Sequence, residues 1–143
     1  MDRQRLLKLL GSGRVARLAT VDPVGKPHLV PLVFAIDGNR IYSAVDHKPK
    51  RTQQLKRMRN IAANPAVAIL ADHYEDDWSR LWWIRVDGTA EVVETGPVWE
   101  RAIAALAGKY PQYRGQPPDG SAIVITIDRV SGWAADQPFA EES

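Results

Sequence analysis

The chain has 143 residues and no cysteine, and its 19 Lys and Arg against 17 Asp and Glu give a net charge of +2. The length predicts one domain over residues 1–143, and the missing cysteine excludes disulfides, a thiol nucleophile and Cys-ligated metal centres. No apolar run is long enough to span a bilayer and no signal peptide pattern is present, so we expect a cytoplasmic protein without a membrane partner.

The first half of the chain predicts one short helix and three strands. Leucines spaced three and four apart favour an amphipathic helix over residues 3–10. Apolar runs over residues 14–21, 27–36 and 40–45 predict strands, and the short turns between them indicate antiparallel pairing. Pro31 cannot donate a ladder hydrogen bond, so its strand must have an edge, a bulge or a break there.

The second half predicts two helices and three more strands. The helices are expected over residues 52–63 and 98–110, and the strands over residues 66–71, 81–93 and 121–130. Asp87-Gly88 permits either a hairpin or a bulge in one long strand. Six or seven strands with three helices predict a mainly β, α+β protein whose sheet closes into a barrel or sandwich. The acidic tail from about residue 136 is expected to be mobile.

A basic cluster follows the third strand. Its members are Lys48, Lys50, Arg51, Lys56, Arg57 and Arg59. No acidic residue lies between Lys48 and Arg59. A solvated helix face would have the same composition. However, the first three members crowd a strand-to-helix junction, where free N–H groups and the helix dipole add to their charge. We therefore favour an anion site, with a phosphorylated small molecule as the ligand and no nucleic acid partner.

The aromatic residues lie elsewhere in the sequence. Trp78, Trp82 and Trp83 surround an acidic loop, and one of the two adjacent strand residues must point inward. The other is free to contact a flat ring or a partner subunit. The three histidines lie singly along the chain, so no metal site is predicted, and His28 in the second strand fits a structural role as well as a functional one.

The order of several short motifs resembles the split-barrel flavin and deazaflavin oxidoreductases, the superfamily of pyridoxamine 5′-phosphate oxidase. They are L-A-T…G-x-P-H…P-x-x-F, the step N-P-x-V-A-I-L, and the stretch WSRLWWIRVDGTAEV. The last of these is most similar to the actinobacterial branch that uses the deazaflavin coenzyme F-420. The resemblance implies a six- to seven-stranded antiparallel split β-barrel of the FMN-binding type, in which residues 81–93 form one long strand.

The resemblance also implies a homodimer with the cofactor at the subunit interface. In such enzymes the cofactor phosphate contacts basic residues at the strand-to-helix junction. The residues of this chain that take up cofactor-binding positions on that pattern are Lys48, Lys50, Arg51, Arg57, His28, Val30, Pro31, Trp78 and Trp82. The surplus of positive charge suits the polyglutamate tail of F-420, which FMN lacks.

The implied reaction is hydride transfer between F-420 and a small organic acceptor. The cofactor carries the redox chemistry, so no catalytic acid or base is required, and Tyr74 and His73 are the candidate proton donors. Three alternatives stay open on the sequence. They are an FMN enzyme of the same fold, a carrier that binds a cofactor or haem without turnover, and a nucleic-acid module.

Overall fold

The computed structural model describes residues 2–45 and 51–136, with the backbone only for residues 51–55. The described part contains four helices and seven strands. The helices are α1 (Arg3–Gly11), α2 (Arg51–Ala63), α3 (Pro97–Lys109) and the single turn α4 (Gln112–Gly115). The strands are β1 (Ala16–Val21), β2 (Pro27–Leu32), β3 (Ala35–Asp37), β4 (Arg40–Ala44), β5 (Ala66–His73), β6 (Trp82–Val93) and β7 (Ala122–Ala134).

All seven strands form one antiparallel sheet in the order β2-β1-β5-β6-β7-β4-β3. The two edge strands, β2 and β3, are separated in sequence only by Val33 and Phe34. Two residues span no more than about 10 Å, so the sheet has to curl until its edges meet. The result is a barrel with a split between β2 and β3, which confirms the predicted α+β split barrel.

One predicted strand is wrong in its extent. Residues 27–36 form two strands, β2 and β3, at opposite edges of the sheet. The break falls at Val33 and Phe34, where the Phe34 side chain is fully buried and its N–H donates to the Tyr110 hydroxyl instead of to a strand. Pro31 lies in the edge strand β2, as its missing N–H requires.

The Asp87-Gly88 ambiguity resolves to one long strand. The register of β6 on β7 shifts between Asp87, opposite Arg129, and Gly88, opposite Ile127. The extra residue of the bulge is therefore Asp128 of β7. A Cβ on Gly88 would lie 2.6 Å from both Ile125 Cγ2 and the Thr126 carbonyl oxygen, so only glycine permits this close approach.

Other element ends differ modestly from the sequence predictions. The predicted loop 72–80 contains the end of β5 and a single 3₁₀ turn over Trp78–Arg80. The predicted loop 111–120 contains α4. The last strand continues beyond Val130 to Ala134 because it pairs with β6 over its whole length. The predicted mobile tail lies outside the described residues from residue 137 onward.

Helices α1 and α2 pack at opposite ends of the barrel. Leu6 and Leu10 of α1 are fully buried in the core, near the start of β6 and the end of β7. At the other end, Ile61 of α2 enters the core, and the Asn60 side-chain amide donates to the hydroxyl of Thr20, with N and O 3.0 Å apart. No helix in residues 2–45 and 51–136 is long and apolar enough to cross a membrane.

The outer surface of the barrel is divided between a sealed face and an open face. The sealed face comprises β3, β4 and the first part of β7, where α3 buries Ala35, Tyr42 and Val124. The open face comprises the outward residues of β2, β1, β5 and β6, and no helix of the described chain covers it. Its outward residues include Leu29, Pro31, Arg17, Ala19, Leu70 and Arg85.

Candidate functional site

A cleft opens at the split of the barrel, where the chain leaves β2 and where β4 ends. Its cavity volume is about 320 Å³, within the size range of small-molecule sites. We call it the Arg57 cleft. It is lined by Val15, Pro31, Leu32, Val33, Ser43, Ala44, Arg57 and Tyr113. A smaller cavity of about 270 Å³ shares the residues Val33 and Tyr113 with it and continues along α4.

Arg57 is the charged residue of this cleft. Its guanidinium is half-buried, and burial lowers the pKa of the group from its ordinary value. The Nε–H is buried and meets no hydrogen-bond acceptor in the part of the chain that the structure describes. An unpaired buried donor costs free energy, about 1–3 kcal/mol for a typical group. An anionic ligand in the cleft would supply the missing acceptor.

His28 lies close enough to Arg57 and Lys56 for their positive charges to act on its imidazole. Burial lowers the pKa of its imidazole, and the positive charges of Lys56 and Arg57 lower it further. The ring is therefore neutral at pH 7. Its Nδ1 is buried without a hydrogen-bond partner among the described residues. His28 is thus a second polar group left incomplete near α2.

The structure brings only some of the predicted cofactor-binding residues together. Pro31 and Arg57 line the same cleft although they are far apart in the sequence. Val30 points inward and is buried in the core, so only its backbone is available to a ligand. Arg51 is the first residue of α2, and the structure describes its backbone but not its side chain. Lys48 and Lys50 lie outside the described residues.

The predicted aromatic wall lies elsewhere in the protomer. Trp82 is the inward member of the tryptophan pair, because it packs against the core, whereas Trp83 pairs with Trp133 across β6 and β7. Trp82 lines two adjoining cavities between α1 and the start of β6, of about 370 and 590 Å³, which we call the α1 cleft. Trp78 is 75% exposed and lines neither cleft.

The two candidate proton donors have different surroundings. His73 lines the α1 cleft, and its Nε2 makes a short contact with the carboxylate of Glu75. The same carboxylate lies 3.7 Å from the Arg80 guanidinium, so Glu75 contacts both His73 and Arg80. Tyr74 is 64% exposed and lines neither cleft.

Tyr110 binds the backbone next to the Arg57 cleft, and no sequence pattern predicted this role. Its hydroxyl accepts the N–H of Phe34 at 3.1 Å and lies 2.9 Å from the carbonyl oxygens of both Arg14 and Phe34. It therefore holds the β2–β3 connection against the end of α3. A lone tyrosine at a helix end has no pattern that predicts such a role. Ser43 donates to the Val33 carbonyl at 2.8 Å and was also not predicted, because a single serine in a strand has no pattern that indicates such a contact.

Within the described residues, no group of three or more His, Asp or Glu side chains is placed to hold a metal ion. The polar equipment of the Arg57 cleft instead suits an anion. Its charged group is the half-buried guanidinium of Arg57, whose Nε–H has no acceptor among the described residues.

Comparison with known proteins agrees with the split-barrel fold. The family model described as pyridoxamine 5′-phosphate oxidase matches residues 3–134. A curated relative, the 5a,11a-dehydrotetracycline/5a,11a-dehydrooxytetracycline reductase of Streptomyces rimosus, is 31% identical over 94 residues. That alignment covers 65% of this chain and 65% of the relative, so the chain matches just under two thirds of the relative's length.

Solved structures share the fold at lower sequence identity. A conserved hypothetical protein of Mycobacterium tuberculosis has a TM-score of 0.75 at 22% identity, covering 95% of this chain and 86% of its own. A heme binding protein of Mycobacterium smegmatis has a TM-score of 0.74 at 20% identity, covering 96% and 55%. An FAD-binding protein of Mesorhizobium loti has a TM-score of 0.68 at 22% identity, covering 92% and 94%.

Proposed function

Because the chain belongs to the pyridoxamine 5′-phosphate oxidase family, we propose that it is an oxidoreductase that binds a flavin-type cofactor, coenzyme F-420, in the Arg57 cleft. In this proposal it transfers a hydride between F-420 and a small organic acceptor. The observation that carries the proposal is the half-buried guanidinium of Arg57, whose Nε–H lacks an acceptor among the described residues in a cleft of ligand size.

The residues present fit such a group. The cofactor phosphate would accept from Arg57 and from basic residues that precede it in the sequence, which are Lys48, Lys50 and Arg51. The backbone of Val30 and Pro31 would run beside the ring. The bound deazaflavin supplies the hydride chemistry, and the protein holds it, orients it and excludes water. His28, neutral at pH 7, adds a polar group without adding charge.

Two observations favour F-420 over FMN. The basic cluster exceeds what one phosphate needs, and the excess would attract the polyglutamate tail of F-420. The curated relative is a reductase of Streptomyces, in keeping with the actinobacterial branch that the motifs resemble. FMN is the alternative cofactor, because an FAD-binding protein shares the fold. Haem carriage without turnover is the alternative function, because a heme binding protein does so too.

We further propose that two copies pair through the open face. Leu29 is 67% exposed and Leu70 is 38% exposed, and neighbouring alanines continue this apolar strip across the sheet. A second copy would cover the strip, and the exposed ion pair of Arg85 with Asp87, 3.2 Å apart, would lie at its border. Trp78, which is 75% exposed, is then the tryptophan that could reach the cofactor from the partner subunit, because Trp82 packs against the core of its own protomer.

A proton must accompany the hydride when the acceptor is reduced. His73 is the candidate donor that lines a cavity, and its Nε2 contacts the carboxylate of Glu75. Tyr74 is the second candidate, and solvent is the third. A His73→Gln variant separates them, since a loss of turnover with unchanged cofactor affinity would assign the step to His73.

Cofactor binding is tested by titrating the purified protein with F-420 and, separately, with FMN, and following tryptophan fluorescence. The critical variant is Arg57→Gln, and its control is Lys26→Gln, an exposed lysine of the β1–β2 turn outside the basic cluster. A charge-assisted hydrogen bond contributes about 1.5–3 kcal/mol, so the Arg57 variant should raise the Kd of F-420 roughly tenfold to a hundredfold. The control should stay within about twofold.

Each outcome of the titration discriminates between the candidate functions. Tight F-420 binding together with acceptor reduction supports the proposal. Tight FMN binding with a yellow protein as purified supports the flavin enzyme instead. Binding of haem or F-420 with no turnover on a broad acceptor panel supports a carrier. An unchanged Kd for Arg57→Gln, in a variant whose circular dichroism is unaltered, would show that the cleft has been misassigned.

The dimer is tested by sedimentation equilibrium. The Leu29→Glu, Leu70→Glu double variant should sediment as a monomer while the parent protein sediments as a dimer, because two buried carboxylates per copy would oppose association. A parent protein that sediments as a monomer at about 50 µM would overturn this part of the proposal.

A further inference from the structure

The α1 cleft is a second cavity system with its own charge pattern. One side of it is a stripe along α1 formed by Arg5, Lys8, Leu9 and Ser12. The opposite side comes from the 3₁₀ turn and the start of β6, and the end of β7 closes it with Ala134. Leu6 and Leu10 on the other side of α1 are buried in the core, which fixes the helix against the barrel and holds the cleft open.

The rim of this cleft has a surplus of unpaired positive charge. The side chains of Arg5 and Lys8 make no hydrogen bond or ion pair with any described residue. Arg80 lies 3.7 Å from the carboxylate of Glu75, and its charge also acts on Asp77. The acidic residues that line the cleft are Asp136 and Asp72, and neither forms an ion pair with these cations in the described chain. Exposed cations clustered without partners attract an anion.

The floor of the cleft is apolar. It consists of Leu9, Leu81, Trp82 and Ala134, of which Leu81 and Ala134 are almost fully buried. The half-exposed indole of Trp82 offers a flat surface that suits a planar ring. A volume of about 370 Å³ accommodates a molecule of one to three rings.

We infer that the α1 cleft binds a planar organic anion, with its rings against Trp82 and its carboxylate or similar group at Arg5 and Lys8. Gly13 and Arg14 line this cleft, and the next residue, Val15, lines the Arg57 cleft, so the two sites lie on either side of one short segment. The inference is independent of the proposed function and gives the protomer a second ligand site, for a conjugated organic acid.

The test uses the whole protein without cofactor and two matched probes, 2-naphthoate and its neutral analogue 2-naphthamide. Binding is followed by two-dimensional ¹H–¹⁵N NMR, which resolves the indole N–H of Trp82 and the amides of Ser12 and Ser79. We expect 2-naphthoate to shift these signals and to bind roughly fivefold to tenfold more tightly than 2-naphthamide, because only the acid gains from the exposed cations.

Variants assign the charge effect to the cleft. Arg5→Gln with Lys8→Gln should reduce the affinity for 2-naphthoate about fivefold and leave 2-naphthamide within twofold. Lys26→Gln, an exposed lysine of the β1–β2 turn, is the control and should change neither. Both changed positions are exposed and unpaired in the described chain, so folding is expected to be unaffected.

Equal affinity for the two probes, or shifts confined to residues outside the cleft, would overturn the inference. So would an unchanged 2-naphthoate affinity in the Arg5 and Lys8 double variant. None of these results depends on F-420, so the site and the proposed function fail independently. A protein that binds 2-naphthoate here but no F-420 retains the ligand site, and one that binds F-420 but no 2-naphthoate here retains the proposed function.

Discussion

The sealed and open faces of the barrel belong to the same sheet, but only the sealed face is covered by a helix. On the sealed face, α3 covers the outward residues, and Leu106 and Ala102 are fully buried against them. On the open face, Leu29 and Leu70 stay exposed, and the nearest helices pack at the barrel ends instead. One face is therefore completed by the chain itself, and the other has the character of a surface that another molecule completes.

The Arg57 cleft lies where these two faces meet. Val15 and Pro31 belong to the open side, while Ser43 and Tyr113 belong to the α3 side. A ligand in the cleft would thus contact one wall that α3 covers and one wall whose outer surface no described helix covers. This contrast predicts that substitutions on the sealed side change stability, whereas those on the open side change association and ligand binding.

The largest effect is expected at the centre of the sealed face. Leu106→Ala should lower the free energy of unfolding by about 3 kcal/mol, because the side chain is fully buried and the helix can collapse only partly into the cavity. Urea denaturation measures this loss. A loss below about 1 kcal/mol would mean that α3 seals the sheet only loosely.

Tyr110→Phe should have the next largest effect. The change removes the hydroxyl that accepts the Phe34 N–H and leaves that buried donor unpaired, at a cost of about 2 kcal/mol. It should also loosen the β2–β3 connection, which amide hydrogen exchange at Phe34 would detect. Unchanged protection of that amide would show that another group holds the connection in place.

Lys109 is expected to make stability depend on pH. Burial, helped by the nearby charge of Arg14, lowers the pKa of its ammonium to about 8, and Nζ lies 3.8 Å from the centre of the Phe34 ring. Between about pH 8 and the unfolded value of 10.5 the unfolded chain binds more protons than the folded one. The free energy of unfolding should therefore rise with pH over this window.

The comparison that isolates this effect is Lys109→Met, measured by urea denaturation at pH 7.5 and pH 9.5. We expect the parent protein to gain roughly 1 kcal/mol relative to the variant, less than the full pKa shift implies because water reaches the side-chain stem. Lys26→Met is the control, since Lys26 is exposed. Parallel pH profiles for the parent protein and Lys109→Met would exclude a buried, titrating ammonium.

The smallest effect on stability is expected on the open face. Leu29→Ser should change the free energy of unfolding of the isolated monomer by less than about 0.5 kcal/mol, because most of the side chain is already in contact with water. The measurement is made at a concentration low enough for the monomer to predominate. A loss as large as that of Leu106→Ala would mean that the face is covered within one chain.

Much of this architecture follows from local patterns. The leucine spacing of α1, the alternation of β7 and the long run of β6 each depend on neighbouring residues, and all three elements occur as predicted. The family resemblance is also local, since it rests on short motifs in order, and the family match over residues 3–134 confirms it. The basic cluster was likewise visible without any coordinates.

The sequence by itself determined which elements form and that positive charge concentrates after β4, because helix and strand periods and charge runs are properties of adjacent residues. Only the tertiary structure decided that residues 27–36 divide between two sheet edges, that Arg57 meets Pro31 in one cleft, and that Trp82 lies in another. Those outcomes depend on how far the sheet curls and which face each helix covers. Both are set by packing between residues far apart in sequence.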